Sequence, residues 1–301
     1  MHTLVVGATG LVGSEVCSRL REAGHTVRAL VRRTSDPGKR QALEDRGVEL
    51  VYGDLKDPAS LVRACEGSDA VISTASSTFS RQPGDGIDSV DADGQLALVA
   101  AAREAQVSHF VFVSFRENPT IQFPLTKAKR AVERALIESG MPYTILQASY
   151  FMEVWLSPAL GFDIANRKVR LLGDGTAPVS YVSYHDLAHA AAGVIDQPLA
   201  RNAVVEFGGP DALSQRDVIR MVETAGGGPI ATESVSEADL EAQRQAATDP
   251  MQQSFCGLML QCARGDAMNP SRSRELLPFA RTSVHQYIAA QIVPTGPPHA
   301  V

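Results

Sequence analysis

Thr3-Leu4-Val5-Val6-Gly7-Ala8-Thr9-Gly10-Leu11-Val12-Gly13 is the stretch that decides the fold. A short apolar run leads into three glycines at GxxGxxG spacing, and the apolar pattern that follows is helical. Strand, glycine turn and helix, in that order, give the context in which this spacing binds a dinucleotide. Gly7 allows the tight turn out of the strand, and Gly10 lets the backbone approach a pyrophosphate. Gly13 lets the helix pack closely on the strand. Thr9, Leu11 and Val12 belong to the same candidate cofactor turn. There the helix N-terminus offers free N–H groups and the positive end of its dipole to phosphate.

Outward from this turn the first half alternates between two periods. Strands are expected at 3–6, 26–31, 48–52, 69–73, 109–114 and 143–147, with helices at 11–23, 58–65, 91–105 and 125–139. Ala70-Val71-Ile72 and Phe110-Val111-Phe112-Val113 are nearly all apolar, as strands covered on both faces should be. The pattern predicts an α/β fold: a doubly wound parallel Rossmann sheet with a smaller α/β C-terminal substrate lobe. Residues 1–150 form the expected NAD(P)-binding domain and 151–301 the lobe, interleaved because the strand at 204–207 returns to the main sheet. Residues 151–175 read as an aromatic-bearing stretch and loop, with helices expected at 184–196, 214–225 and 236–247. The proline-rich end, 294–301, reads as a disordered tail.

Composition narrows the functional classes. The 301 residues carry a net charge of −6 without a compensating Lys/Arg block, which argues against direct nucleic-acid binding. No signal-peptide pattern and no run of about 18 apolar residues occurs, so no membrane partner is expected and a cytoplasmic location is. Cys17, Cys65, Cys256 and Cys262 lack zinc-type spacing and read as small buried thiols. A homodimer is left open.

The strand at 26–31 ends in Arg32-Arg33, with no acid until Asp36. NAD enzymes place an acid there for the ribose 2′-hydroxyl, whereas guanidinium groups suit a 2′-phosphate. NADP(H) is therefore the expected cofactor, held by Arg32 first and Arg33 second. Asp54-Leu55 falls where such folds meet the adenine, and Thr74-Ala75-Ser76 where the chain passes the cofactor.

The chain resembles the NmrA-like branch of the atypical short-chain dehydrogenases. The likeness rests on Gly7 to Gly13, on Arg32, on Gly53-Asp54-Leu55, and on Val90-Asp91 before an Ala-rich helix. It also rests on Val107 to Ser114, on Glu133 before Ser139-Gly140-Met141-Pro142-Tyr143-Thr144, and on Gly208-Gly209-Pro210 with Ser214. That branch includes isoflavone-reductase-like enzymes, NADPH:quinone reductases and triphenylmethane reductases. By the resemblance, Lys129 stands at the lysine of the Tyr-x-x-x-Lys pair of ordinary short-chain dehydrogenases. Four residues before it is Leu125 in place of the tyrosine that moves the proton. Lys129 is then the candidate general acid or ribose ligand, with Lys127 as its competitor. Ser114 is a candidate hydrogen-bond donor to a substrate carbonyl, or a strand-end serine satisfying backbone.

Hydride transfer needs no protein acid when the acceptor is conjugated and electron-poor, so the missing tyrosine is compatible with reduction of a quinone or dye. Tyr150 and Phe151, past the sixth strand, are the expected nicotinamide wall and pocket mouth, extended by Trp155 and Phe162. His185 and His189 share a helix face but lack a third metal ligand, and Asp186 reads as a first-turn acid after a Ser183 cap. Glu233, Glu237, Asp239 and Glu241 read as the solvated surface in or near one helix. Two functions follow: an NADPH-dependent oxidoreductase acting on a small aromatic or quinonoid acceptor, or a non-catalytic NADP(H)-binding redox sensor working through protein partners.

Overall fold

The computed structural model describes residues 1–80, 82–226 and 228–292. Its strands are β1 (His2–Val6), β2 (Thr26–Val31), β3 (Glu49–Tyr52), β4 (Ala70–Ser73), β5 (His109–Phe115), β6 (Tyr143–Ala148), β7 (Phe162–Asp163), β8 (Lys168–Leu172), β9 (Ala203–Phe207) and β10 (Ala231–Val235). Its α-helices in the first half are α1 (Leu11–Glu22), α2 (Pro37–Glu44), α3 (Pro58–Cys65), α4 (Gln95–Glu104) and α5 (Pro124–Glu138). The rest are α6 (Met152–Trp155), α7 (Tyr184–Gly193), α8 (Gln215–Gly226), α9 (Glu237–Ala246), α10 (Pro250–Arg264), α11 (Ser271–Leu276) and α12 (Val284–Ile292).

The main sheet runs β3-β2-β1-β4-β5-β6-β9, with every neighbouring pair parallel. Side chains divide between its faces with the strand period of two. Val5, Ala29, Ile72, Val111, Leu146 and Val205 pack with Val16 and Leu20 of α1 and Leu187 of α7. Leu4, Leu30, Val71, Phe110, Phe112 and Ile145 pack with Leu61 of α3, Leu98 of α4, and Val132 and Leu136 of α5. Each large apolar side chain hidden this way contributes about 2 kcal/mol relative to exposure. Strand order reverses between β1 and β4, and a crevice at the carboxyl ends of the strands is where open α/β sheets bind ligands.

The second half completes the sheet and adds a separate core. β9 lies beside β6, and α7 covers α1. A small sheet, β10-β8-β7, packs with α8, α10 and α12 around Phe162, Leu171, Tyr181, Val218, Leu260 and Ile288.

Several sequence expectations change here. Residues 162–163 and 168–172 are strands, not loop; in Lys168-Val169-Arg170-Leu171 exposed and buried residues alternate, a period-2 signal only four residues long. Glu233 lies in β10, paired with Lys168 across the strands at 2.8 Å, while Glu237, Asp239 and Glu241 do lie on α9. The helix expected over 91–105 is composite: a π-helix at Ile87–Gly94 runs into α4. The helix expected to 196 ends as α at Gly193 and finishes in a 3₁₀ turn. Helices α2, α6, α10, α11 and α12 and strand β10 have no counterpart in the sequence expectation. The tail expected from Pro294 lies outside the described residues.

Candidate active site

Carboxyl ends of the parallel strands bring the expected cofactor residues to one edge. Gly7 leaves β1 at φ +87°, and a Cβ there would stand 2.8 Å from Ala75 N and Thr74 Oγ1. A Cβ on Gly13 would stand 2.2 Å from the Gly7 carbonyl oxygen, so α1 docks on the turn only without a side chain. The Gly10 amide donates to the Gly7 carbonyl at 2.9 Å, and Gly10 caps α1 with no side-chain hydrogen bond. The first-turn amides of α1 are thus not claimed by a side-chain cap, as an anion site requires. Leu11 is half exposed beside the turn, and Val12 is buried beneath it. The cradle that a Cβ would fill fits a pyrophosphate.

The β2 end differs from the simple expectation. Arg32 Nη1 pairs with Asp85 Oδ2 at 2.6 Å, and Asp85, 3% exposed at its side chain, also takes Lys56 Nζ at 2.5 Å and the Ser80 hydroxyl. Burial alone would raise the Asp85 carboxyl, but the hydrogen bonds from Lys56, Ser80 and Arg32 outweigh it and hold it down to about 2. Arg32 therefore carries an internal counter-ion. Arg33 is exposed and lies over the Tyr52 ring at 4.9 Å. Lys39, which sequence reasoning missed, is exposed near the N-terminus of α2 and donates to the Thr9 carbonyl at 3.2 Å. Its signal was present: Asp36 caps the helix by accepting from the Lys39 amide, with Pro37 at the first position.

Asp54 caps its own turn by accepting from the Lys56 amide, while Leu55 is buried against Gly94. Thr74 Oγ1 donates to the Val6 carbonyl, and the Ala75 carbonyl accepts from Gln95 Nε2 at 3.0 Å. The Ser76 hydroxyl lies 3.2 Å from that of Thr78. The loop after β4 is thereby tied to both β1 and α4.

Lys129 and Lys127 separate cleanly. Lys127 is exposed, whereas the Lys129 side chain is 6% exposed and stands 3.5 Å from the buried carboxylate of Asp91. Leu125, which the resemblance sets at the usual tyrosine position, is buried, and its amide donates to Ser254 Oγ of α10. The Ser114 hydroxyl is buried and accepts from Arg130 Nη2 at 3.0 Å. Arg130 in turn pairs with Glu133 at 2.7 Å.

On the lobe side Tyr150 is buried, with its hydroxyl donating to the Leu258 carbonyl at 3.0 Å. Burial holds that phenol well above its usual range, so it stays protonated and keeps donating to that carbonyl. Its ring meets Trp155 edge-on at 4.6 Å, and Trp155 stacks on Phe255 of α10 at 6.4 Å. Phe255 is 41% exposed and had no signal in the sequence pattern. Phe151 is partly buried against the Rossmann core, and Phe162 belongs to the lobe core. Beyond β6, Ser149 Oγ donates to Asp266 Oδ2 at 2.9 Å, with Arg116 Nε 3.5 Å from the other oxygen. Burial raises Asp266 to about 6 against those two partners.

No group of three or more potential metal ligands occurs among the described residues. His185 faces Glu15, His189 stacks on Phe279, and the carboxylate of Asp186 accepts from the Thr282 amide instead of its own helix. The four cysteines are buried and unpaired, and no described helix is long and apolar enough to cross a membrane.

The chain is 31% identical to an NAD(P)H azoreductase of Xenophilus azovorans over 267 residues, covering 88% of this chain and 84% of that protein. It is also 31% identical to the photosystem II assembly factor Ycf39 of Trieres chinensis, over 75% of this chain and 70% of that one. A crystal structure of an isoflavone reductase superposes with a TM-score of 0.78 at 25% identity, covering 96% and 99% of the two chains. The model of the NmrA-like family matches residues 2–288, and this chain belongs to that family.

Proposed function

We propose that this chain is an NADPH-dependent oxidoreductase that reduces a small aromatic or quinonoid acceptor by direct hydride transfer. The observation that carries the reading is the turn at Gly7–Gly13, closed to any Cβ and set at the sheet edge beside the exposed cations Arg33 and Lys39. When bound, the nicotinamide supplies the hydride. The chain's own residues do the rest. Backbone amides of α1 receive the pyrophosphate, and Arg33 and Lys39 receive the 2′-phosphate, with Arg32 paired to Asp85. Lys129 presents its ammonium on the β4–β5 side, either to the nicotinamide ribose or to charge developing on the acceptor. Tyr150, Trp155 and Phe255 offer flat apolar area to a conjugated ring.

Azo reduction by one relative fits this acceptor class. The Ycf39 likeness, with a buried leucine at the tyrosine position, supports a second reading: an NADP(H)-bound regulator acting through protein partners. An NADPH-oxidation screen against quinones, azo dyes and enones separates the two. Turnover supports the reductase; tight NADPH binding with no turnover across the panel supports the regulator and sinks the reductase.

A further inference from the structure

Asp91 is fully buried, and its two oxygens are treated differently. Oδ2 accepts from the Ser77 amide at 2.9 Å and from the Ser77 hydroxyl at 2.5 Å. Oδ1 has no hydrogen-bond partner and stands 3.5 Å from Lys129 Nζ. The ammonium lies over the Phe112 ring, 4.9 Å from its centroid. Taking an ammonium and a carboxylate out of water is costly, and apolar residues of similar volume would pack there at less cost.

The backbone at Asp91 is equally unusual. It sits within the eight-residue π-helix Ile87–Gly94, a conformation that is rare and concentrated at functional sites. At its end Gly94 is pressed on Leu55, where a Cβ would approach the Leu55 Cβ to 2.8 Å. Ser77 closes the loop that begins at Thr74, beside the glycine turn.

We infer that Asp91 is the positioning residue of Lys129: its free oxygen fixes where the ammonium stands, and Ser77 ties that position to the loop passing the cofactor. This rests on Lys129 acting on the bound reactants. Asp91 touches neither hydride donor nor acceptor; it acts through the lysine.

Asp91→Asn keeps the volume and an acceptor for Ser77 while removing the charge. With NADPH and 2-methyl-1,4-naphthoquinone, kcat is expected to fall about 30-fold while the quinone KM and the NADPH Kd move less than about 3-fold. Adding Asp91→Asn to Lys129→Met should lower kcat no further, since both remove one unit. Multiplying losses, or an unchanged kcat with a lower melting temperature, would overturn the inference. A second readout needs no turnover. Peptide-mapped reductive methylation at pH 8 should label Lys129 about 10-fold faster in Asp91→Asn than in the parent. Unchanged labelling overturns the positioning role by itself; faster labelling with Lys129→Met fully active retains it and overturns the role of the lysine. Where Asp91→Asn does not fold, Ser77→Ala leaves both charges and should raise labelling about 3-fold, an unchanged rate again counting against the proposal.

Discussion

The glycine turn and the aromatic cluster are built on opposite principles. Between Gly7 and Gly13 the ligand-facing surface is backbone, and both glycines are fixed by atoms that no side chain could displace. Tyr150 and Trp155 share one stretch running from β6 into α6, Phe255 comes from α10, and the three meet through their rings and the Tyr150 hydrogen bond to the Leu258 carbonyl. The first surface cannot drift without losing the dock of α1 on the sheet. At the second, Trp155 and Phe255 lie outside the buried core and can change while that core, Tyr150 included, stays intact. Substitution is therefore costly at the first surface and tolerable at the second.

That contrast can be broken at the turn first. Gly10→Val, whose Cβ would meet only the Gly7 carbonyl at 3.2 Å, should cost about 100-fold in NADPH affinity, near 2.7 kcal/mol, with little change in melting temperature. Calorimetric titration that finds parental affinity would show that the pyrophosphate does not lie there. The paired variant Arg33→Ala with Lys39→Ala should weaken NADPH about 30-fold and NADH less than about 2-fold. Equal losses for the two cofactors would return the 2′-phosphate to Arg32.

On the other surface the effects should be smaller and confined to the acceptor. Phe255→Ala is expected to raise the quinone KM about 5-fold with the NADPH Kd unchanged, and a shift in cofactor binding instead would mean the two surfaces are one. Asp266 gives the smallest effect. Its folded-state value near 6 exceeds the ordinary 3.8, so the folded chain holds this proton more tightly than the unfolded one. Stability from this group therefore falls as pH rises from about 4 to about 6. Asp266→Asn lacks that loss, and its melting temperature should gain about 3 °C on the parent between pH 4.5 and 7.5. A constant difference across that range would remove the case for a raised carboxyl.

The sheet was legible because its strands are apolar on both faces and end in glycine or polar turns. Lys127 and Lys129 stand as competitors in the sequence, yet the pattern that separates their burial is present there. Lys129 falls four residues after Leu125 and three before Val132, within the buried stripe of α5, while Lys127 falls outside it. The pairing of Arg32 with Asp85 was not legible, because it joins residues 53 apart through a loop whose path follows from tertiary contacts. Phe255 was hidden for the same reason: α10 presents it to Trp155 only once the lobe has closed. The π-helix left no trace in the pattern, since 3.6-residue periodicity does not foresee a widened turn.

The late arrival of β9 has a consequence for synthesis. A chain emerging from the ribosome completes β6 at Ala148, yet the strand that covers its outer edge is not made until Phe207. For those 59 residues (207 − 148) the nascent sheet shows an unpaired edge of Thr144, Ile145 and Leu146 amides and carbonyls, a surface on which another chain could add a strand. The lobe sequence that intervenes, with its own small sheet at β7 and β8, is thus made while that edge stands open. Truncation near residue 150 would leave the edge permanently bare, so the dinucleotide-binding half is expected to aggregate when expressed without residues 151–207.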